Sequence, residues 1–494
     1  MWEDTLSEIC LVASANSVVG MMEQIEAHHG EVGMVELRVD GLQNSRDEKL
    51  APLVELLKGR GIKIIWTVRW SKENGAYAGS EDSRLELLQW GDALGVDYVD
   101  VELRSGLAQK LQLQKAKKVL SCHNFETCPA NLEQILAEMD AVGADVAKLA
   151  CAVSGCRDLY RMLKLYQGRK AGSLLAIAMG EFGSVSRLLP AALGMPWTYA
   201  AVDGQSGSAP GQYTVRELLE LYRYPAITSK TRRFAVIGNP IAHSLSPQIH
   251  NGHYIAEKLD AVYVKIKVDD MDVFNDLAQL LGLDGVSVTV PHKESLMRWV
   301  PKGSDLARIG AANTLVRNGT TWRVENSDIQ AALAAMTAQL DDHVTHPKVL
   351  LLGAGGVARA LAFGMVDRGW AVTVCNRNLA RAQALVQELP ALEILAWEDR
   401  CPHGFDVVVN GTTLGMSPLE NESPLEFEGG HSGLVVFDTV YTPEMTLLLR
   451  NAKAAGARIA TGREMFFRQA ALQHSYWFEV NPPWESMEDL LAKI

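Results

Sequence analysis

A chain of 494 residues is too long for one hydrophobic core and is expected to fold as two or three domains. Its composition, 48% hydrophobic and 21% charged, is ordinary for a soluble globular α/β protein, and a net charge of −12 argues against nucleic acid or an anionic membrane as partner. The seven cysteines are scattered without a zinc-site spacing, so they are expected to be reduced packing residues, and no metal is expected.

Strand-like sequence begins by Ile9, which leaves no room for a signal or transit peptide, and no apolar run approaches membrane-spanning length. The expected compartment is the cytoplasm, or a plastid if this is a processed plant chain. Eight β-like runs follow with helical sequence between them: Ile9–Ala13, Met34–Val39, Lys63–Val68, Tyr98–Leu103, Lys118–Cys122, Asp145–Leu149, Leu174–Met179 and Thr198–Val202. That alternation predicts a compact (β/α)8 barrel over residues 1–224. Its last helix opens on a capping box, Thr214-x-x-Glu217.

Polar residues fall at the strand ends, where such a barrel keeps its chemistry. Glu36 and Arg38 end strand two, Arg69 and Glu73 follow strand three, and His123 ends strand five. Arg187 follows strand seven, and a Gly-rich loop carrying Ser208 and Gln212 follows strand eight. Lys148 stands inside the apolar run of strand six. Burial and neighbouring arginines are expected to lower its pKa and favour the neutral amine, the form that attacks a ketone to make a Schiff base. His123 is the natural proton shuttle beside it.

A short polar connector, 225–233, leads to a second α/β lobe expected over 234–330. Its polar landmarks are Ser244 and Ser246, Thr289 and Lys293, Asn313, and the run Glu325-Asn326-Ser327-Asp328. A Rossmann-like module is expected over 331–457. There Lys348 to Ala360 reads KVLLLGAGGVARA, a buried strand turning through Gly353, Ala354, Gly355, Gly356 and Val357 into a helix N-terminus that suits a phosphate. The next strand, Ala371 to Cys375, ends in Asn376-Arg377, with Arg381 one helical turn on. An NAD site would place an acid there; arginines suit the 2′-phosphate of NADP. Thr439 and Tyr441 follow a later strand on the cofactor edge, and Gly462 to Gln469 return the chain to the first lobe, which 458–494 are expected to complete.

The runs VELRVD, SCHNFETCP, DVAKLA, MGEFGSVSR and SAPGQ, in this order, resemble type I 3-dehydroquinate dehydratase across the first half. The resemblance implies that Lys148 forms an imine with the C3 ketone of 3-dehydroquinate. It makes His123 the base at C2 and then the acid for the departing C1 hydroxyl, with Glu73 orienting it. Glu36, Arg38, Arg69, Arg187, Ser208 and Gln212 would hold the substrate. Asn124 stands where that family commonly has an aspartate.

GNPIAHSLSP, VTVPHK, AANTL, GAGGVARA, NRNLARA, NGTTLGM, DTVYTPE and GREMFFRQA resemble shikimate dehydrogenase across the second half. That resemblance implies a catalytic pair, Lys293 and Asp328, acting at the C3 oxygen while NADPH delivers hydride to C3. Ser244, Ser246, Thr289, Asn313, Tyr441 and Gln469 would bind the substrate, and Thr439 and Gly462 would border the nicotinamide. Ser327, Asn378 and Val357 depart from the usual residues without removing a charged group. Together the halves resemble a bifunctional enzyme that turns 3-dehydroquinate into 3-dehydroshikimate and then shikimate, toward aromatic amino acids. Quinate dehydrogenase is the nearest alternative for the second half, and retention of both serines favours shikimate. A catalytically dead relative would have lost Lys148, His123, Lys293 or Asp328, and all four remain.

Overall fold

The computed structural model describes residues 7–204 and 211–491. They form two compact units, Met1–Pro247 with Tyr254–Leu283, and Gln248–His253 with Asp284–Ile494.

Eight strands of the first unit form one sheet: β1 (Glu8–Ala13), β2 (Met34–Arg38), β3 (Lys63–Thr67), β4 (Tyr98–Glu102), β5 (Lys117–Asn124), β6 (Val146–Ala152), β7 (Leu174–Met179) and β8 (Trp197–Ala200). They are parallel, in the order β7-β6-β5-β4-β3-β2-β1-β8, so the sheet wraps into a nearly closed barrel whose two ends are β7 and β8. Strands buried on both faces read as apolar runs, and β7 (LLAIAM) is buried at every residue. The compactness read from the sequence has a structural cause. β4 is followed by a single 3-10 turn, Leu103–Ser105, and β7 by the 3-10 segments Glu181–Arg187 and Leu189–Leu193, where full helices were expected. The capping box is present: Thr214 N donates to Glu217 Oε2 (2.9 Å) and Glu217 N to Thr214 Oγ1 (3.2 Å).

The first unit also carries a parallel pair, β9 (Arg232–Gly238) and β10 (Ala261–Lys267). Beyond β10, Asp269 reaches the helix Cys156–Lys164 that follows β6. This helix begins after Gly155, which has no side chain to cap it, and Asp269 Oδ1 instead accepts from Cys156 N at 3.0 Å. A Cβ on Gly155 would lie 2.5 Å from Asp269 Oδ2, so glycine is what lets the carboxylate approach. Lys267 pairs with Glu181, at the start of the segment that ends in Arg187.

In the second unit, β11 (Leu283–Val288), β12 (Thr314–Asn318) and β13 (Thr321–Glu325) run antiparallel, and the helix Ser327–Thr337 follows. Then come β14 (Lys348–Leu352), β15 (Ala371–Cys375), β16 (Glu393–Leu395), β17 (Val407–Asn410), β18 (Val435–Asp438) and β19 (Arg458–Ala460), all parallel, in the order β16-β15-β14-β17-β18-β19. Numbered within the sheet this is 3-2-1-4-5-6, the doubly wound dinucleotide order, whose ligand crevice lies at the switch point between β14 and β17. Alternate residues of one strand feed the two covering layers, Val349 and Leu351 on one face and Leu350 and Leu352 on the other. The helix Gly462–Phe478 returns to β12, where Trp477 Nε1 donates to Leu315 O at 3.1 Å. All seven cysteines are free thiols. No helix among the described residues is long and apolar enough to cross a membrane, and none of their His, Cys, Asp or Glu side chains form a metal-holding group of three.

Candidate active sites

The barrel gathers a buried ionic network on its inner face. Lys148, on β6, is 5% exposed, with its Nζ 3.0 Å from Asp100 Oδ2, 3.8 Å from Glu36 Oε1 and 4.4 Å from the centre of the Tyr199 ring. Its ion-pair partners are therefore carboxylates, where the sequence had suggested arginines. Arg69 forms the other half of the network, donating to Asp100 Oδ2 (2.9 Å), Glu102 Oε1 (2.9 Å) and Ser121 Oγ (2.8 Å). Burial alone would raise the Asp100 pKa, but the charges of Arg69 and Lys148 overcome it and hold the carboxyl far below its usual range. Glu36 accepts from Thr67 Oγ1 at 2.6 Å.

His123 Nδ1 lies 2.7 Å from Glu73 Oε2, which also accepts from the His123 backbone N–H at 3.1 Å. Burial, then the charges of Arg69 and Lys148, push the imidazole well below its ordinary pKa, so it rests as the neutral base. Burial lifts Glu73 to about 7, against the pull of Arg69. Arg187 is buried, its Nε and one terminal nitrogen lack a protein partner among the described residues, and burial lowers its pKa to about 10. A desolvated guanidinium with open donors is a waiting anion site. Arg38 differs: its fork is already engaged with Asp40, at 2.9 and 2.8 Å. Gln212 is half-buried, and Ser208 lies outside the described residues.

In the second unit Lys293 Nζ lies 2.7 Å from Asp328 Oδ2, both side chains partly exposed. Asp328 is placed by a capped helix start: Asn326 Oδ1 accepts from Ile329 N (3.1 Å) and Ser327 N donates to Asn313 Oδ1 (2.8 Å). Asn313 and Gln469 converge on Ser327, whose Oγ is 2.9 Å from Asn313 Nδ2 and 3.5 Å from Gln469 Oε1. Thr289 stands one residue past β11. Tyr441 is 54% exposed and stacks on Phe466, rings 5.6 Å apart. Ser244 and Ser246, at the end of the first unit's longer segment, lie with their hydroxyls 3.2 Å apart.

At the β14 turn, Gly353 has φ +112°, and a Cβ there would meet the Gly411 carbonyl at 2.9 Å. Gly355 caps the helix Gly356–Asp367, and a Cβ on Gly355 or Gly356 would meet nothing, so this N-terminus is open to a ligand. Ala354 and Val357 complete the turn. Past β15, Asn376 Nδ2 bonds Asn378 O (2.8 Å), while Arg377 and Arg381 are exposed, with no ion-pair partner among the described residues. Across the edge, Thr439 Oγ1 donates to Asn410 O at 2.9 Å. A Cβ on Gly462 would lie 2.5 Å from Val440 O and 2.9 Å from Thr439 O, so only glycine lets this helix start against β18's loop.

Three family profiles match the chain in succession: type I 3-dehydroquinase over residues 9–229, shikimate dehydrogenase substrate binding domain over 236–315, and shikimate / quinate 5-dehydrogenase over 333–423. A bifunctional 3-dehydroquinate dehydratase/shikimate dehydrogenase, chloroplastic, from Arabidopsis thaliana is 31% identical over 99% of this chain and 84% of its own length. The chain belongs to this bifunctional family. Its second half is also 39% identical to a shikimate dehydrogenase (NADP(+)) of Syntrophobacter fumaroxidans, over 50% of this chain and 87% of that one. A crystal structure of a shikimate dehydrogenase in complex with NADP+ superposes with a TM-score of 0.50 at 30% identity, over 54% of this chain and 96% of that one.

In this member of the family two barrel residues escaped the sequence reading. Asp100 and Glu102 belong to β4, YVDVE, where both are fully buried. The signal was available: acids at alternate positions of an apolar strand face inward together, as Lys148 does on β6. Arg84, buried between Glu102 and Glu81, was missed because it sits in a helix of ordinary polar composition.

Proposed function

We propose that the chain performs two consecutive steps of the shikimate pathway, dehydrating 3-dehydroquinate to 3-dehydroshikimate in the barrel and reducing that ketone to shikimate with NADPH in the second half. Family membership supports the two activities, and the observation that carries the first is the buried Lys148 beside the neutral His123. The domains we assign are 1–224, 234–330 with 458–494, and 331–457. Such a chain would work in the cytoplasm, or in the plastid if it comes from a plant.

In the barrel, Lys148 Nζ attacks the C3 ketone, and loss of water gives an imine that acidifies the C2 proton. His123 takes that proton through its free nitrogen and returns it to the departing C1 hydroxyl, which leaves as water; hydrolysis of the imine frees the lysine. Arg187 receives the substrate carboxylate, and Glu36, Arg38, Arg69, Ser208 and Gln212 surround the ring. Glu73 fixes the tautomer. Its ionised carboxylate accepts the Nδ1 proton and leaves Nε2 as the base. Protonated, it would donate to Nδ1 and block Nε2. Dehydration kcat/KM should therefore fall as pH drops through about 7, the pKa of Glu73. Glu73→Gln should remove this inflection and lower the plateau; an inflection that survives in Glu73→Gln would assign it elsewhere.

In the second half the glycine turn from Gly353 to Val357 fits a dinucleotide pyrophosphate, and Asn376, Arg377 and Arg381 fit a 2′-phosphate. Thr439 and Gly462 border the nicotinamide, which supplies hydride to C3 when bound. Lys293 and Asp328 hold and move the proton at the C3 oxygen. Ser244, Ser246, Thr289, Asn313, Tyr441 and Gln469 bind the carboxylate and hydroxyls. Arg377→Ala should raise the KM for NADPH about ten- to a hundredfold, the loss of one charge-assisted phosphate contact, with little effect on NADH. A wild type that prefers NADH would refute this assignment.

The deciding test of the whole reading is incubation of purified protein with 3-dehydroquinate and NADPH. Shikimate is the expected product. Accumulation of 3-dehydroshikimate alone would leave only the barrel assignment standing.

A further inference from the structure

Gln473 is 1% exposed, lies one turn beyond Gln469 on the helix Gly462–Phe478, and is absent from the substrate-binding set. Its amide reaches three groups. Nε2 donates to Thr314 Oγ1 at 3.1 Å and to the Asn313 carbonyl at 3.4 Å, and Ser287 Oγ donates to Oε1 at 2.7 Å. The Asn313 carbonyl can only accept, so the amide end facing it must be nitrogen. Thr314 Oγ1 receives that nitrogen and has one proton of its own, which it places on Asn313 Oδ1 at 3.0 Å. The same Oδ1 receives Ser327 N, a backbone group that can only donate. Asn313 therefore has its oxygen turned inward and its Nδ2 spent on Ser327 Oγ through one N–H, with the second N–H left to donate.

We propose that Gln473 is a positioning residue for ketone reduction: through Thr314 it fixes the orientation of the Asn313 amide, so that Asn313 meets the substrate as a hydrogen-bond donor. The chain of directed bonds runs from β11 through the last long helix to β12 and ends beside Ser327, the neighbour of Asp328. A glutamate at position 473 has nearly the shape of glutamine but cannot donate. Thr314 would then turn its proton toward the new carboxylate and release Asn313. Shape and donor polarity are thus separable. The inference rests on the shikimate dehydrogenase reading of this half.

The test compares wild type, Gln473→Glu, Gln473→Leu, Asn313→Ala and the two double variants with 3-dehydroshikimate and NADPH. Either change at 473 should raise the KM for 3-dehydroshikimate about tenfold, as for one misdirected neutral hydrogen bond, while the KM for NADPH and the dehydration of 3-dehydroquinate stay unchanged. In the Asn313→Ala background neither change should add to the loss, because Gln473 acts through Asn313. An unchanged KM for 3-dehydroshikimate in both single variants, or losses that multiply with that of Asn313→Ala, would overturn the proposal. A rise in the NADPH KM of the same size would also overturn it, by showing general damage to the unit. A wild type that fails to reduce 3-dehydroshikimate would refute the function itself and this inference with it.

Discussion

Lys148→Ala should lower dehydration of 3-dehydroquinate by about four to six orders of magnitude, the scale of losing a covalent nucleophile. Nothing else on the inner face of the barrel can replace it, since the groups around Nζ are Asp100, Glu36 and the Tyr199 ring. The substitution does not orphan Asp100, which keeps Arg69 at 2.9 Å, so the barrel should survive the loss of one buried charge. Retained reduction of supplied 3-dehydroshikimate would verify that the chain is intact. Borohydride added to wild type with 3-dehydroquinate should leave a stable adduct on Lys148. A label on another residue, or normal turnover by Lys148→Ala, would remove the imine from the mechanism.

Lys293→Ala should lower ketone reduction about a hundred- to a thousandfold, as when a preorganised donor to a developing alkoxide is removed. Its ammonium is held by Asp328 at 2.7 Å, and both groups are partly exposed, so the loss should fall on kcat rather than on folding. Dehydration should be untouched. Because 3-dehydroshikimate is a small molecule that can diffuse, mixing Lys148→Ala with Lys293→Ala should restore shikimate formation from 3-dehydroquinate and NADPH. A lag that wild type lacks would reveal a benefit of having both sites on one chain. If either variant, still folded, loses both activities, the two sites are not independent.

Much of this was legible because each half repeats a periodic pattern. Eight apolar runs announced eight parallel strands, and Lys148 stood out since a lysine in such a run must face the interior. The cofactor edge was equally readable, as Gly353 and Gly462 occupy places where a Cβ meets backbone at under 3 Å. What was not legible is pairing across the fold. No local rule links Arg69 to Asp100 and Glu102, or Ser327 to Asn313, because each partner comes from a different strand or helix start. Short 3-10 turns after β4 and β7 were missed for a related reason, since linker length there is set by barrel closure and not by propensity. The direction of the Gln473 amide required the acceptor-only and donor-only backbone groups around it to be seen together.

The helix Cys156–Lys164 takes its cap from Asp269, which lies beyond the connector in sequence. A gene cut at residue 224 would therefore yield a barrel with an open helix start, short by about 0.5–2 kcal/mol. A stand-alone dehydratase carved from this chain would need serine, threonine or aspartate in place of Gly155 to recover it. In the joined chain that same side chain would displace Asp269, whose carboxylate sits where its Cβ would go. One position thus records the history of the fusion: glycine there suits a barrel that borrows its cap, and a capping residue suits one that lives alone.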